Sequence, residues 1–455
     1  MVNIRVNRRR IGSHRYIRSR PGAFTFDSFG AIRSLLLHGF VARCIVTRMT
    51  SESTPRQRAS SPRSAARAAC ALALLGLTLV WCVRSDASPA NESTSPILAR
   101  DADTLSSDEV LLTLPTDAWL SPDGRTWMLP VHAWVYEPES DSMLRNMLIN
   151  GFGKAIGLDD DGRNDPLFRT RAGMFFIDNE GGKRLVARLT PDEPARTLPA
   201  TASNGHVDAT VEIDAASLSG DSAKIAARVS AGWLSVTVAP AAGGRSTDAS
   251  VRLVPSVGVS VISDIDDTIK ISNARDKSEL LKNSFVGPYR SVDGMAAVYR
   301  AWSDRGAIFH YVTSSPWQLH RSLSDWLAHD GFPRGTMRMK YLSGKRQAFV
   351  DLFEASDGTK QSVLDELLTR YPLRQVVLVG DSGQDDPAIY ASVARRFPAQ
   401  VLHIFIRNVT EESPAAPRWS TTFQGLDAGR WTVFEDPAAL TRFKLPLPPP
   451  TATSK

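Results

Sequence analysis

Residues 257–270 read VGVSVISDIDDTIK, an apolar run that ends in an acidic turn. The stretch Val257 to Ile262 is short and rich in β-branched residues, which predicts a strand buried on both faces. Asp264 and Asp266 follow it two residues apart, so both can point into one crevice. Their mutual repulsion is unfavourable unless a cation lies between them. Magnesium, a hard ion with a taste for carboxylate oxygens, suits such a place if it also handles phosphate. An acidic turn after a strand is common in proteins with no site there, so these residues decide nothing alone.

The same pattern recurs downstream. Ala307–Val312, Met337–Leu342, Val376–Val379 and Val401–Ile406 are further apolar runs, separated by stretches of helical periodicity. This predicts an α/β domain, a Rossmann-like parallel sheet with flanking helices, whose binding crevice lies at the carboxyl ends of the strands. After the second run come Thr313-Ser314-Ser315-Pro316. Ser315 before proline has the form of an N-cap, whereas Thr313 has no such duty and is suited to hold a phosphate oxygen. Lys360 opens a helix whose inner face is Val363, Leu364, Leu367, Leu368 and Tyr371. A cation in the first turn opposes the helix dipole and calls for an anionic partner. The run ending at Val379 leads into GDSGQDDP, residues 380–387. Asp386 before Pro387 reads as an N-cap, which leaves Asp381 as a metal ligand and Asp385 as its supporter.

DIDDT, the hydroxyl of YVTSS, Lys360 and GDSGQDD, in that order, resemble the four motifs of haloacid-dehalogenase-type phosphatases. More narrowly, SDIDDTIK, GMAAVYRAW, FHYVTSSPWQL and GDSGQDDPAIY resemble the catalytic domain of the actin-patch-associated phosphatidate phosphatases, over roughly residues 255–440. The resemblance implies that Asp264 forms an aspartyl-phosphate, and that Asp266 protonates the leaving oxygen, later activates water and offers a main-chain carbonyl to Mg2+. It implies that Thr313 and Lys360 hold the phosphoryl group, that Asp381 binds the metal and that Asp385 supports it. Asp267 receives no chemistry beyond stabilising the turn. Ser314 stands where many such sequences have Asn, at a position expected to touch substrate. Neither segment between these motifs is long enough for a large cap domain, which predicts an open crevice that admits a phosphate on a large molecule or at a membrane surface. The resemblance alone implies a lipid phosphate such as phosphatidate.

Upstream, residues 108–250 carry the signs of a β-sandwich-like domain. Trp127, Leu129, Val131, Ala133 and Val135 alternate with other residues, as do Val207, Ala209, Val211 and Ile213. Met174–Ile177 and Leu185–Leu189 flank Asn179-Glu180-Gly181-Gly182, which predicts a hairpin. Met143, Leu144, Met147, Leu148 and Ile156 fall at helical spacing and predict one inserted helix. Asp159, Asp160, Asp161 and Asp165 lack the glycine register of a calcium loop and read as a solvated acidic loop.

The 455 residues carry a formal net charge of +6, yet residues 1–67 hold fourteen Arg against only Asp27 and Glu52. The remainder is therefore net acidic and has no clustered basic footprint for nucleic acid. Cys44, Cys70 and Cys82 all precede residue 83, which excludes a disulfide, a thiolate zinc site and a cysteine nucleophile from the folded body. Residues 68–87, an apolar run after arginines that ends in Ser85-Asp86-Ala87, read as a signal peptide or a membrane anchor. This predicts export, to the periplasm or to the periplasmic face of an inner membrane. Residues 1–67 read as a basic leader without fold, with Met49 as an alternative start, residues 88–107 as a linker, 251–445 as the catalytic domain and 446–455 as a Pro-rich tail. The competing functions are a phosphatase for soluble esters and an inactive module that binds an envelope ligand.

Overall fold

The computed structural model describes residues 102–138, 142–218, 223–342 and 359–446. The leader, the apolar segment 68–87 and the Pro-rich tail beyond residue 446 lie outside them. Among the described residues no helix is long and apolar enough to cross a membrane.

The upstream domain is built on one long strand, Thr126–Glu137, paired antiparallel with Val110–Leu114 and His206–Asp214. The alternation read from the sequence sets the register: Leu129 faces Val211 and Ala133 faces Val207 across the ladder. A second group, Leu185–Arg188, Trp233–Pro240 and Thr247–Leu253, is antiparallel throughout and joins the first through Thr116–Leu120. Side chains from both groups fill one apolar core, with Leu129, Val131, Leu234, Val236 and Val251 each at most 1% exposed.

One expectation in this domain is corrected. Met174–Ile177 is not a hairpin strand but the turn after a short helix, Pro166–Gly173, and Leu185–Arg188 pairs with Trp233–Pro240 instead. The helix Met143–Ala155 is present, but its buried side is Ile149 and Phe152, followed by Ile156. Met143 is 90% exposed and Met147 56%. Both stripes of this helix are apolar, so periodicity alone could not say which one packs. Asp159 and Asp165 cap the helices that follow them, accepting from the amides of Gly162 and Phe168 at 2.9 and 2.7 Å.

The downstream domain is a six-stranded, fully parallel sheet flanked by helices. Its order is Gly335–Lys340, Ile308–Pro316, Gly258–Ser263, Arg374–Asp381, Val401–Arg407 and Trp431–Phe434. The last strand was not anticipated; four residues are too few to show a period. Helix Met295–Asp304 packs Met295, Val298, Tyr299 and Trp302 inward. Among the described residues, the segment between the first two strands holds this helix and Lys277–Phe285 and no sheet of its own.

The two domains interlock. Arg171, from the upstream helix Pro166–Gly173, donates to Gly287 O at 2.8 Å and lies 3.7 Å from the Tyr289 ring centroid. Asp117, from Thr116–Leu120, is fully buried against His310, Thr336 and Arg338 of the parallel sheet.

Candidate active site

Asp264 follows directly on the central strand, and its amide donates to Val379 O at 2.9 Å, so it is anchored to the neighbouring strand end. The chain then turns tightly. The amides of Ile269 and Lys270 both reach Ile265 O at 3.0 Å, and Asp267 takes a left-handed conformation, φ +56°. Aspartate tolerates that region better than most residues because its short side chain can bond locally. Here it does: the Asp267 carboxylate accepts from the amides of Ser272, Asn273 and Ala274 at 2.5–2.8 Å. Its work is structural, as expected.

The turn aims Asp264 and Asp266 into one buried space, 1% and 7% exposed respectively. Thr268 Oγ1 donates to Asp264 Oδ2 at 2.8 Å, and Lys360 Nζ to Oδ1 at 2.9 Å. Asp266 Oδ1 accepts from Lys270 Nζ at 2.5 Å and Ser272 Oγ at 2.7 Å. Its Oδ2 accepts from Thr313 Oγ1 at 3.1 Å and Ser315 Oγ at 3.3 Å. Burial pushes the Asp266 carboxyl up, but Lys270 and the surrounding hydroxyls more than reverse this and hold it below the usual carboxylate range.

The fourth strand end supplies the rest. Asp381 Oδ1 accepts from the amides of Gly383 and Gln384 at 2.6 and 3.2 Å, while its Oδ2 is buried with no hydrogen-bond partner. Asp386 Oδ2 accepts from the Asp381 amide at 3.2 Å, and its Oδ1 from Lys360. Gly380 is required by this packing, because a Cβ there would lie 2.3 Å from Asp386 Oδ2. Asp264, Asp381 and Asp386 each bring a carboxylate oxygen within 4.8 Å of the others. Burial and the neighbouring charges of Asp386 and Asp266 push the Asp264 carboxyl up to about 7, against the pull of Lys360. Burial, Asp386 and Asp264 push Asp381 up to about 8. Burial alone would lower the Lys360 ammonium, but Asp264 and Asp386 hold it well above its ordinary range.

One lysine thus faces three buried carboxylates, one of which carries an oxygen aimed at nothing. Oxygen donors in this number and charge fit a hard divalent cation. The expected gathering of Asp264, Asp266, Thr313, Lys360 and Asp381 is what the structure has, with two shifts of one residue. Asp385 is exposed at the start of helix Asp386–Arg396, and the inward place falls to Asp386, which is fully buried. Ser314 is exposed, and Ser315 turns to Asp266; the strand runs on through Pro316, so Ser315 caps no helix. Thr268, Lys270 and Ser272 were missed. The signal for Thr268 was present, four residues after Asp264 in a one-turn loop.

The catalytic-domain model of the phosphatidate phosphatase APP1 matches residues 259–408, which contain every side chain just described. That segment belongs to the APP1 catalytic-domain family. It is 34% identical over 158 residues to phosphatidate phosphatase APP1 of Saccharomyces cerevisiae, covering 34% of this chain and 26% of that protein. It is also 31% identical over 169 residues to the uncharacterized protein C29B5.04c of Schizosaccharomyces pombe, covering 36% of this chain and 27% of that protein. The chain therefore spans about a quarter of the length of the curated relatives it matches. The APP1-type segment excludes the upstream β-rich domain, although Arg171 and Asp117 of that domain are built into its packing.

Proposed function

We propose that this protein is a phosphoric monoester hydrolase of the haloacid-dehalogenase type, with Asp264 as nucleophile and a lipid phosphate such as phosphatidate as substrate. The observation that carries this reading is the Asp264 carboxylate itself, fixed by Thr268 and Lys360 beside two further buried carboxylates. The lipid substrate rests on the family to which residues 259–408 belong. On this reading the downstream sheet is a haloacid-dehalogenase core and the upstream domain a β-sandwich.

Splitting a displacement at phosphorus through a covalent carboxyl-phosphate replaces one hard step by two easier ones. Asp264, held on both oxygens, is oriented for attack. Thr313 and Lys360 border the position a phosphoryl group would take, the lysine supplying positive charge and the hydroxyl a donor. Asp266 carries the proton to the departing oxygen and takes one from water in the second half-reaction. Asp264, Asp381, Asp386 and the main-chain carbonyl of Asp266 would hold Mg2+, which when bound offsets the crowded carboxylates and neutralises charge developing on the phosphoryl oxygens. Residues 68–87 would direct this activity to the periplasm or to a membrane surface.

The test is phosphate release from phosphatidate and from a soluble aryl phosphate, with and without Mg2+, for the wild type and Asp264→Asn. Magnesium-dependent turnover of phosphatidate that falls at least ~10⁴-fold in Asp264→Asn is expected, since removing a nucleophile costs this much or more. Turnover of the aryl ester alone would refute the lipid substrate, and none on either ester the enzyme itself.

A further inference from the structure

Lys270 lies two residues beyond the acidic turn and is 1% exposed, which is unusual for an ammonium. Burying such a charge is costly unless it is paired, so the side chain needs a reason to be there. The fold does not supply one. The Lys270 main chain is held by its own bonds, N donating to Ile265 O at 3.0 Å and O accepting from Asp267 N at 2.7 Å, with a bridge to Ser291. The loop beyond it is tied down by the Asp267 carboxylate. These restraints survive a change of side chain. The ammonium reaches Asp266 Oδ1 at 2.5 Å and Ser272 Oγ at 2.6 Å, and lies 5.2 Å from the Tyr289 ring centroid.

The two oxygens of Asp266 are treated differently. Oδ1 is filled by Lys270 and by Ser272 Oγ, which form a fixed, buried backing. Oδ2 meets only the hydroxyls of Thr313 and Ser315, at 3.1 and 3.3 Å. Hydroxyl donors rotate. Once they turn to a phosphoryl oxygen, Oδ2 is open while Oδ1 stays occupied.

We propose that Lys270, together with Ser272, is the positioning pair of the acid–base residue: it clamps Asp266 Oδ1 so that Oδ2 alone faces the bridging ester oxygen. This rests on Asp266 acting as acid and base in the reaction proposed above. In the step it serves, a bond forms between the Asp264 carboxylate oxygen and phosphorus as the ester oxygen–phosphorus bond breaks. Asp266, a carboxylate in the free site, takes up on Oδ2 the proton that a monoanionic phosphate ester carries in and passes it to the departing oxygen, leaving an alcohol and a carboxylate. Water then attacks the aspartyl-phosphate, returns a proton to Oδ2, and frees Asp264 and inorganic phosphate. Lys270 touches no reacting atom in either step.

A clamp that serves leaving-group protonation is separable from one that only holds the fold. The full chain is compared as wild type, Lys270→Met and Ser272→Ala, with phosphatidate and with its analogue carrying sulfur in the bridging position. Thiolate departs without a proton, so the analogue does not need the acid. Because kcat/KM covers only the steps through the first phosphoryl transfer, it is the quantity to compare. Lys270→Met is expected to lower kcat/KM on phosphatidate ~10²-fold, the scale of lost general-acid catalysis, and on the sulfur analogue by less than ~3-fold. Equal losses on the two substrates, or none on phosphatidate, would overturn the proposal. Should Lys270→Met melt early, Ser272→Ala carries the same test: about tenfold loss on the oxygen ester and little on the sulfur one is expected, and equal losses overturn the clamp. Asp264→Asn separates the two levels. If it keeps wild-type turnover, the phosphatase reading falls and the clamp with it; if it is inactive while Lys270→Met loses equally on both esters, only the clamp falls.

Discussion

Asp117 and Asp381 have the same outward description: each is fully buried, and each keeps one oxygen with no hydrogen-bond partner. Their surroundings differ in charge. The other oxygen of Asp117 accepts from Thr336 at 2.7 Å and lies 3.1 Å from both His310 Nδ1 and Arg338 Nη2. Burial alone would push its carboxyl up, but His310, Arg338 and Thr336 overcome this and hold it far below the usual range. Around Asp381 burial and two neighbouring carboxylates act in the same direction, and Lys360 offsets only part of it. Neither burial nor an orphan oxygen therefore marks a site. What sets the two apart is a deficit of positive charge: Asp117 has its counterions built in, whereas Lys360 offsets only part of the charge in the Asp264, Asp381 and Asp386 cluster.

The contrast breaks if the two residues respond alike to loss of charge. Asp117→Asn should destabilise the protein by ~3–5 kcal/mol, because it strands Arg338 and the buried polar groups that faced the carboxylate. Turnover per folded molecule should stay close to wild type. Asp381→Asn should do the reverse, lowering turnover by at least ~10²-fold with no loss of stability in cation-free buffer. Urea midpoints and kcat/KM measured on both variants decide; an unstable but active Asp381→Asn would end the comparison.

A finer cut runs between adjacent residues. Asp386→Asn should lower activity or Mg2+ affinity roughly 10–100-fold, as loss of a residue supporting a metal site does, while Asp385→Asn should leave both near wild type. The opposite ranking would return the site to the register expected from sequence.

Acidity tests the same deficit without mutation. Asp264 and Asp381 have folded-state proton affinities raised to about 7 and about 8 from the ordinary 3.8. Between about pH 4 and pH 8 these two carboxyls bind more protons in the folded protein than in the unfolded chain, so their contribution to stability falls as pH rises through that window. The buried imidazoles of His132, His206, His320 and His403, held below their ordinary range by burial, act the other way up to about pH 6.5. Melting temperature of the cation-free protein should decline from pH 7 to pH 8, where those imidazoles are largely neutral in both states, by roughly 2–4 °C for each kcal/mol lost. Mg2+ should restore more at pH 8 than at pH 5. A cation-free curve that rises from pH 7 to pH 8 would mean that the cluster is already neutralised.

The parallel strands and the polar residues gathered at their ends were legible in the sequence because buried strands are continuous apolar runs and the candidate residues stand where those runs stop. The sequence did not show the phase of the chain just after a strand. Whether Asp385 or Asp386 turns inward depends on where helix Asp386–Arg396 starts, and Pro387 fits either register. The buried partner of Asp266 was invisible for another reason: a lysine in a polar loop normally reaches solvent, and only the packing of Tyr289 over Lys270 encloses it. The upstream helix was read from its period but not its packed side, since nothing in its own residues says that Phe152 meets Phe285 of the other domain.

Phase also governs the smallest of these effects. Strand Ile308–Pro316 runs past Thr313, and alternation along a strand sends successive side chains to opposite faces. Thr313 and Ser315 therefore share the face toward Asp266, and Ser314 points away and is exposed. The Ser315 amide also donates to Thr313 Oγ1 at 3.0 Å, which holds that hydroxyl in place beside Asp266. The Ser315 hydroxyl makes a single long bond, worth about 1 kcal/mol at most, so Ser315→Ala should cost up to ~5-fold in kcat/KM. Ser314→Ala should cost less than twofold on a small aryl ester, whose bulk ends at the phosphate. If Ser314→Ala instead loses several-fold on phosphatidate while the aryl ester is unaffected, Ser314 lies under the lipid part of the substrate. That result would give the exposed residue a role in choosing the ester, and leave holding of the phosphoryl group to its two inward neighbours.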